Sequence, residues 1–471
     1  MKPLSLKAET PHWIGRIQMR SKLIKALTLC LFGYCSVAEA QNADTTKTMA
    51  LTIGQCIEYA LQHQPGVKRA QLGESIAKTT NDINLSGFLP QVNASGNLVH
   101  YFQQSSLGSS NTTTTSTGTG TTTTSGSSGR NTNTFSPQLS ATQNIFNPAL
   151  AYAAKSAPLY LKSAQQVTDS TKIGVVANAS KSFLNLLLTL EQINVLKEDT
   201  ARLGKNVRDT YHQYKGGIVD ETDYEEATIT LNNSLAQLKQ AKENVVPQYA
   251  QLKQIMGFPA DSQFNVSFDT TEMIRHIGID TTLQLQYEKR IEFQELATQK
   301  KLQHVQTDYY RLAFLPTVSA FFNYNYGYGS NSLSTLFNTG YPSSLIGLSL
   351  NIPIFTGFSR INNVKKSRLE EEVLQQDEVA LKSQIYTEYT TALANYKSNL
   401  YNLSQLQKNV TLAKRTYFVV TLQYKQGIIP YLNVITAESN LITSEINYIN
   451  ALFQVLSSKV DLEKSMGTIT Y

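Results

Sequence analysis

The sequence predicts a mainly α-helical protein with long coiled-coil helices and four β-strands that join a membrane β-barrel. Three observations predict this fold class. The chain contains an internal duplication, and each half has an unbroken helical run of about 65 residues. Each half also has two stretches of about ten residues that alternate apolar with small or polar side chains. Strands of that length cross a bilayer when they are tilted.

The duplication is clearest in two short phrases, Y-K-G-G-I at 214–218 and Y-K-Q-G-I at 424–428. They lie 210 positions apart, and the dipeptide M-G at 256–257 recurs at 466–467 with the same offset. A chain that repeats its landmarks at a fixed offset consists of two copies of one structural unit. Each unit is predicted to contain a helix, two strands and a hairpin of two helices.

The two copies differ in length because the first contains an insertion. The tripeptide F-L-P at 88–90 recurs at 314–316, which is 226 positions later, so the first half holds about 16 extra residues. A Ser/Thr/Gly-rich tract, which we expect to form an extended loop without a core, accounts for them. The predicted segments are a signal peptide at 1–40 with an upstream extension at 1–18, a first repeat at 41–257 with a Ser/Thr-rich loop at 103–134, a linker at 258–281, a second repeat at 282–467 and a tail at 468–471.

The first 40 residues have the organisation of a cleaved export signal. Arg20, Lys22 and Lys25 precede an apolar run at 26–37, and the small-x-small sequence A-E-A follows at 38–40. The alternative is a membrane anchor, but about a dozen apolar residues are too few to span a bilayer. Either Met1 or Met19 can serve as the start. No run of about 18 apolar residues occurs elsewhere, so the sequence predicts no transmembrane helix.

Composition argues against several classes of function. The formal net charge is +6, and a balance of +4 falls within the first 40 residues, so no clustered basic face for nucleic acid is expected. Cys56 is the one cysteine after the export signal, and its apolar helical setting indicates a core residue. The six histidines include no i, i+4 pair, and no nucleophile motif or P-loop occurs. We therefore predict no enzyme activity, no metal and no cofactor.

The alternating stretches are the basis of the membrane prediction. The apolar positions are Val92, Ala94, Leu98 and Phe102; Phe135, Leu139, Ala141 and Ile145; Val318, Ala320, Phe322, Tyr324, Tyr326 and Tyr328; and Ile346, Leu348, Leu350, Ile352 and Ile354. Four strands cannot close a barrel, and an open edge in lipid leaves backbone groups unpaired. The chain is therefore expected to pool its strands with copies of itself. A soluble β-sandwich is the alternative, although four strands are few for one.

The long helical runs, 148–214 and 355–424, carry a seven-residue apolar row. The row is Leu186, Ile193, Thr200, Val207 and Tyr214 in the first half, and Tyr396, Leu403, Val410, Tyr417 and Tyr424 in the second. A sustained seven-residue period predicts left-handed supercoiling against a neighbouring helix. The repeated phrases then fall at the tips of helical hairpins, where Gly217 and Gly427 end the outgoing helices. Thr222 is expected to cap the next helix, and Pro430 to lie in the first helical turn.

These residues resemble the TolC family of outer-membrane efflux proteins over essentially the whole mature chain. The opening L-T-I-G-Q-C-I-E-Y-A-L-Q-H-Q-P at 51–65 is similar to the family's first helix. The phrases Y-K-G-G-I and Y-K-Q-G-I look like its hairpin tips, and F-L-P precedes a strand twice. The resemblance implies a homotrimer in the outer membrane of a Gram-negative bacterium. Its twelve-stranded barrel would continue into a long periplasmic helical tunnel.

The same resemblance implies partners and a passive function. The trimer would be the exit duct of a tripartite efflux or type I secretion system, in contact with outer-membrane lipid, a periplasmic adaptor (membrane fusion) protein and an inner-membrane transporter of the RND or ABC type. The adaptor-contacting tip residues would be Gly217, Ile218, Val219, Asp220, Thr222, Gly427, Ile428, Ile429 and Pro430. The alternative is a structural or adhesive surface coiled-coil protein. Within the duct class, drug efflux and polypeptide secretion both stay open.

The family often closes its periplasmic entrance with acidic residues in a pattern like D-V-L-D-A after the second tip. This chain has N-V-I-T-A at 433–437, so Asn433 and Thr436 replace both carboxylates. The first half has Asp223 and Glu226 at the corresponding positions. The candidate gate is therefore Asn433 and Thr436 with Asp223 and Glu226. Alternatively, the two acids only complement the positive end of a helix.

Overall fold

The computed structural model describes residues 49–102, 112–117, 120–125, 132–267, 277–278 and 284–471. The predicted signal peptide, 1–40, lies outside them. The described residues form seven α-helices and eight β-strands. The helices are α1 (Ile53–His63), α2 (Pro65–Leu85), α3 (Pro148–Lys215), α4 (Glu221–Met256), α5 (Ile291–Leu312), α6 (Ser359–Lys425) and α7 (Tyr431–Met466). The strands are β1 (Met49–Leu51), β2 (Gln91–His100), β3 (Thr112–Thr117), β4 (Gly120–Ser125), β5 (Asn133–Phe146), β6 (Phe264–Val266), β7 (Thr317–Ser330) and β8 (Gly340–Asn351).

The chain divides into two compact units. Among the described residues, the smaller holds residues 49–50 and 263–265, where the short strands β1 and β6 pair. The larger unit holds residues 51–262 and 266–471 and contains all the long elements.

The first helical segment of the larger unit is not the single helix predicted at the start of the first repeat. It is broken into α1 and α2 at Gln64, whose backbone is extended (φ −63°, ψ 125°), because Pro65 disfavours a helical residue before it. Gln64 then caps α2, since its side-chain oxygen accepts a hydrogen bond from Val67 N at 2.8 Å. Cys56 lies on α1 with 0% exposure, which confirms it as a core residue. Burial raises the pKa of its thiol to about 12.

The four predicted strands form one antiparallel sheet in the order β2-β5-β7-β8. The register aligns Val92, Ala141, Phe322 and Ile346 in one row, so their side chains share a face. The opposite face holds uncharged polar rows, such as Ser95, Gln138, Asn325 and Ser343. The alternation therefore divides the sheet into an apolar and a polar face as predicted. The last strand is shorter than expected, because Ile352 and Ile354 follow its end at Asn351.

The Ser/Thr-rich tract contains more structure than the sequence led us to expect. Thr112–Thr117 pairs with Gly120–Ser125 in antiparallel register, so the predicted loop at 103–134 contains a β-hairpin. The long strand β5 also begins within that range, at Asn133. Threonine is β-branched and favours extended backbone, so two threonine runs can pair through their backbones without a hydrophobic core.

The long helices form two hairpins, α3–α4 and α6–α7, as the seven-residue rows predict. All ten residues of those rows are buried or half-buried. The two hairpins contact each other chiefly where α7 packs against α3. The helix α3 also contains an apolar window long enough to cross a membrane by length and composition, although most of that window is buried inside the protein. The fold is thus mainly helical, with one four-stranded sheet.

Candidate functional site

The first tip (residues 216–220) and the second tip (residues 426–430) have the same backbone geometry. Gly217 has φ 68° and Gly427 has φ 73°, a left-handed conformation that side-chain-bearing residues adopt at a cost. In the first tip Gly217 N donates to Tyr214 O at 2.9 Å, and in the second Gly427 N donates to Tyr424 O at 2.9 Å. These bonds satisfy carbonyls that the helix ends would leave unpaired. The shared phrase thus encodes one turn twice.

Each tip presents an exposed isoleucine at its end. Ile218 is 75% exposed and Ile428 is 64% exposed. Of the nine predicted adaptor-contacting residues, seven are exposed and two are half-buried; the half-buried ones are Val219 and Ile429. Exposed apolar side chains at a projecting turn are typical of protein contact sites. Contact with an adaptor stays a prediction.

The second helix of each hairpin, α4 or α7, begins at a different residue from the one that the sequence predicts. Thr222 was expected to cap α4, but α4 begins at Glu221, and Thr222 is the second residue of the helix. The cap position belongs to Asp220, whose backbone is extended (φ −76°, ψ 159°) and whose side chain makes no capping hydrogen bond. In the second half Pro430 occupies the cap position, one residue before the first turn. The first turn is therefore two residues shorter than expected, whereas α7 begins after Pro430 instead of including it.

The two tips are joined side by side. Tyr424 Oη donates a hydrogen bond to Gln213 Oε1 at 2.8 Å, which links the second hairpin to the first. Below the tips, Ala227 from α4 packs against Tyr431 and Val434 from α7, and all three are at least 98% buried. Burial of this apolar cluster holds the two returning helices together.

The four candidate gate residues lie on the first two turns of α4 and α7, but they do not form one cluster. Asp223 is half-buried, and Glu226, Asn433 and Thr436 are exposed. Burial, followed by the nearby charges of Glu226 and Asp220, raises the pKa of Asp223. The hydroxyl of Thr436 donates to Leu432 O of its own helix at 2.9 Å. Within the described residues no hydrogen bond joins Asn433 or Thr436 to the two acids, so their gating role stays a prediction.

The sequence prediction missed a group of buried polar residues that lie farther from the tips than Ala227, Tyr431 and Val434. We call it the inner polar cluster, and its members are Asp199, Arg202 and Asn206 on α3, Ser234 on α4, Tyr417 on α6 and Glu438 on α7. The two carboxylates are almost fully buried, with 0% exposure at Asp199 and 1% at Glu438. All four helices of the two hairpins therefore contribute to one polar group inside the bundle.

Among the described residues, the inner polar cluster contains one cation for two carboxylates. Arg202 Nη2 donates to Asp199 Oδ1 at 3.1 Å, and Ser234 Oγ donates to the other oxygen of Asp199 at 2.7 Å. Asn206 Nδ2 donates to Glu438 Oε2 at 3.0 Å, whereas Arg202 Nε is 3.6 Å from Glu438 Oε1, beyond hydrogen-bond distance. Burial, with the charge of Asp199 as the next cause, raises the pKa of Glu438 to about 7.

A sequence pattern could have identified this cluster. Tyr431, Glu438 and Glu445 are spaced by seven residues, so a carboxylate occupies a position where the helix row calls for an apolar side chain. Asp199 likewise falls between Leu196 and Leu203 on the buried stripe of α3. Charged residues are almost never fully buried unless they are paired, so this spacing indicates a polar group across helices.

Comparison with known proteins supports the resemblance. The family model described as outer membrane efflux protein matches residues 56–258 and 283–468. The outer membrane protein TolC of Vibrio cholerae is 20% identical over 347 residues, which cover 72% of this chain and 78% of the relative. The outer membrane protein TolC of Escherichia coli is 21% identical over 356 residues, which cover 72% of this chain and 70% of the relative.

The fold is also that of solved outer-membrane channels. The crystal structure of the Campylobacter jejuni CmeC outer membrane channel superimposes with a TM-score of 0.68 at 19% sequence identity. The match covers 88% of this chain and 85% of that one. Among the described residues, no group of three or more His, Cys, Asp or Glu side chains could hold a metal ion.

Proposed function

The chain belongs to the outer membrane efflux protein family, and from this membership we propose that it is the outer-membrane exit duct of a tripartite efflux or type I secretion system. The duct passively conducts substrates from an inner-membrane pump across the periplasm and the outer membrane. The observation that carries the proposal is the arrangement of elements in one compact unit: a four-stranded sheet with one apolar face is joined at one end to two long helical hairpins. A purely adhesive coiled coil does not require a sheet with one apolar face.

The apolar face of the sheet fits a lipid environment. Ile346 is 82% exposed, Leu348 is 72% exposed and Val92 is 62% exposed. Large apolar side chains in such a continuous group are unfavourable in water and favourable against acyl chains. The opposite, uncharged polar face fits a water-filled lumen. Both features support a sheet that spans the outer membrane.

Two free edges in the sheet support a homotrimer. The strand order leaves β2 and β8 at the edges, with ten and twelve residues. Each unpaired backbone group would cost several kcal/mol in lipid. Three copies that pair β8 of one protomer with β2 of the next would close a twelve-stranded barrel and leave no edge. Exposed apolar residues on α6, such as Leu369 (60%) and Phe418 (69%), also need a covering neighbour.

The tips are the proposed contact with a periplasmic adaptor, which would link the duct to an inner-membrane transporter of the RND or ABC type. The exposed Ile218 and Ile428 would be anchors for that contact. A photo-crosslinking residue at either position should capture a periplasmic adaptor in cells, identified by mass spectrometry. The same residue at Val246, which is 66% exposed on α4 but far from the tip, is the matched control. Equal capture from all three positions would contradict the tip assignment.

The gate proposal assigns the closed end of the duct to Asn433 and Thr436, with Asp223 and Glu226 beside them. If polar contacts between protomers close the duct there, the double variant Asn433→Ala/Thr436→Ala should raise the closed-state conductance in planar bilayers. Thr411→Ala is the matched control, because Thr411 is exposed and its hydroxyl also bonds to its own helix, at Gln407 O. An unchanged closed-state conductance in the double variant would place the gate elsewhere.

A further inference from the structure

The inner polar cluster has a charge imbalance that the exit-duct function does not explain. Within the part of the chain that the structure describes, Asp199 and Glu438 lie inside the bundle with only Arg202 in contact to compensate them, and the Arg202 side chain is itself 29% exposed. An uncompensated buried carboxylate is strongly unfavourable, so one of the two acids must gain a proton or the helices must separate enough to admit water. The cluster therefore couples a proton to the packing of the helices.

Glu438 is the member that gains the proton. Asp199 receives hydrogen bonds on both oxygens, one of them from the guanidinium. Glu438 receives one short hydrogen bond, from a neutral amide, and the hydroxyl of Tyr417 donates to it at 3.5 Å. Arg202 Nε is 3.6 Å from Glu438, whereas Arg202 Nη2 is 3.1 Å from Asp199. The donors to Glu438 are thus neutral or more distant, and they stabilise its charged form less than that of Asp199.

The other groups around Glu438 do not remove this imbalance. The titratable and charged side chains that act on the cluster are Asp199 and Arg202 from α3, Lys414 and Tyr417 from α6, and Tyr431 and Glu445 from α7. The cation Lys414 is bound to Glu445, with 3.1 Å between Nζ and Oε1, so this pair adds no net charge. The contribution from α4 is the neutral Ser234. One negative charge is left in excess.

We propose that the inner polar cluster is a proton-operated brace. With a proton on Glu438, the four helices keep the packed arrangement seen here; when the proton leaves, α4 and α7 loosen around the cluster. The tips end the same helices, so the duct opens more readily as the pH rises from acidic towards neutral. This inference rests on the proposed function, because it concerns the opening of that duct.

The sign of the effect follows from proton linkage. The pKa of Glu438 in the packed arrangement is about 7, above the ordinary value of 4.5. The packed arrangement therefore binds a proton that a loosened arrangement releases between about pH 4.5 and 7. It is favoured at acidic pH and loses stability as the pH rises through that window. The opening equilibrium should increase on the order of tenfold between pH 5.5 and pH 8.

The test is the open probability of the purified full-length trimer in planar bilayers from pH 5.5 to 8, with Glu438→Gln as the main variant. Glutamine keeps the shape and mimics the protonated acid, so its open probability should stay low and independent of pH. Glu463→Gln is the matched control, because Glu463 is on the same helix, is partly buried and also has a raised pKa. A Glu438→Gln channel that keeps the wild-type pH dependence, or a control that loses it, would overturn the proposal.

A second variant and a second readout keep the test independent of the duct function. Asp199→Asn removes the neighbouring negative charge, so the pH midpoint of the transition should fall below that of the wild type. Amide hydrogen exchange of residues 431–445, corrected for intrinsic rates, should rise with pH in the wild type and not in Glu438→Gln. If the trimer does not conduct but its hydrogen exchange follows this pattern, the duct function is refuted and the proton-operated brace is supported. Normal conductance with pH-independent exchange would refute the brace alone.

Discussion

In both hairpin tips a left-handed glycine ends the outgoing helix and an exposed isoleucine follows it, yet the returning helices begin with different charges. The start of α4 is acidic, with Asp220, Glu221, Asp223, Glu225 and Glu226 within seven positions. The start of α7 has no acid until Glu438, which is buried. The backbone of the turn needs glycine and a hydrogen-bond pattern only, so the surface beside it is free to change. Duplication has preserved one turn, while the charge beside it differs between the two tips.

The largest expected effect concerns the two glycines, which should be equally important to the two turns. Gly217→Val and Gly427→Val should each destabilise the protein by about 2 kcal/mol, because a β-branched residue is strained in the left-handed region. Open space surrounds both positions, with nothing within 4 Å of an added Cβ, so backbone strain is the whole cost. Thermal unfolding monitored by circular dichroism measures it.

The matched control is Gly174→Ala, in the interior of α3, where an added Cβ also has no neighbour within 4 Å. Alanine is the better helix former, so this variant should be neutral or slightly more stable. Equal destabilisation at all three glycines would show that the tips have no special backbone requirement.

The two tips also differ in one tyrosine hydroxyl. Tyr424 donates to Gln213, whereas Tyr214, at the corresponding place in the first tip, makes no hydroxyl hydrogen bond within the described residues. Tyr424→Phe should therefore cost about 1 kcal/mol, and Tyr214→Phe close to nothing. Chemical denaturation of the two variants, with Gln213→Ala in a double-mutant cycle, tests this difference. Equal costs would mean that the hydrogen bond does not join the hairpins.

The acidic surface of the first tip should affect stability least and partner choice most. Asp220→Asn, Glu221→Gln and Asp223→Asn together remove acids at the positive end of α4. Asp220 and Glu221 each contribute only about 0.5 kcal/mol, and Asp223 contributes less because its environment raises its pKa. Adaptor capture from Ile218 should fall in this triple variant, while capture from Ile428 stays unchanged. Similar losses at both tips would indicate that the adaptor does not distinguish them.

The sequence was sufficient for the elements that depend on a regular period. The alternation of 318–328 located β7, and the seven-residue rows located the buried faces of α3 and α6. Gly217 and Gly427 located the tips, because a helix often ends at a residue in the left-handed conformation and glycine adopts that conformation without strain. The wrong predictions concern positions where the local effects of neighbouring residues decide the backbone conformation. Pro65 broke a helix through its effect on Gln64, the extended backbone of Asp220 displaced Thr222 from the cap, and threonine runs paired where no core was expected.

The inner polar cluster was missed for a different physical reason. Asp199 and Glu438 are 239 positions apart, and neither has an oppositely charged residue at a spacing that reveals the contact across helices. Asp199 meets Arg202 within α3, three residues apart, but only the packing of the helices brings Glu438 to the same arginine. The periodic signal marked each carboxylate as out of place on a buried stripe, but it did not identify its partner.

The most direct measurement of the central claim is single-channel recording on the purified protein in planar lipid bilayers, paired with its mass in detergent. An exit duct pooled from three chains should have the mass of a trimer and should conduct ions through stable, long-lived channels. Its conductance should rise in Asn433→Ala/Thr436→Ala. A monomeric protein, or a trimer that never conducts even in that double variant, would contradict the account.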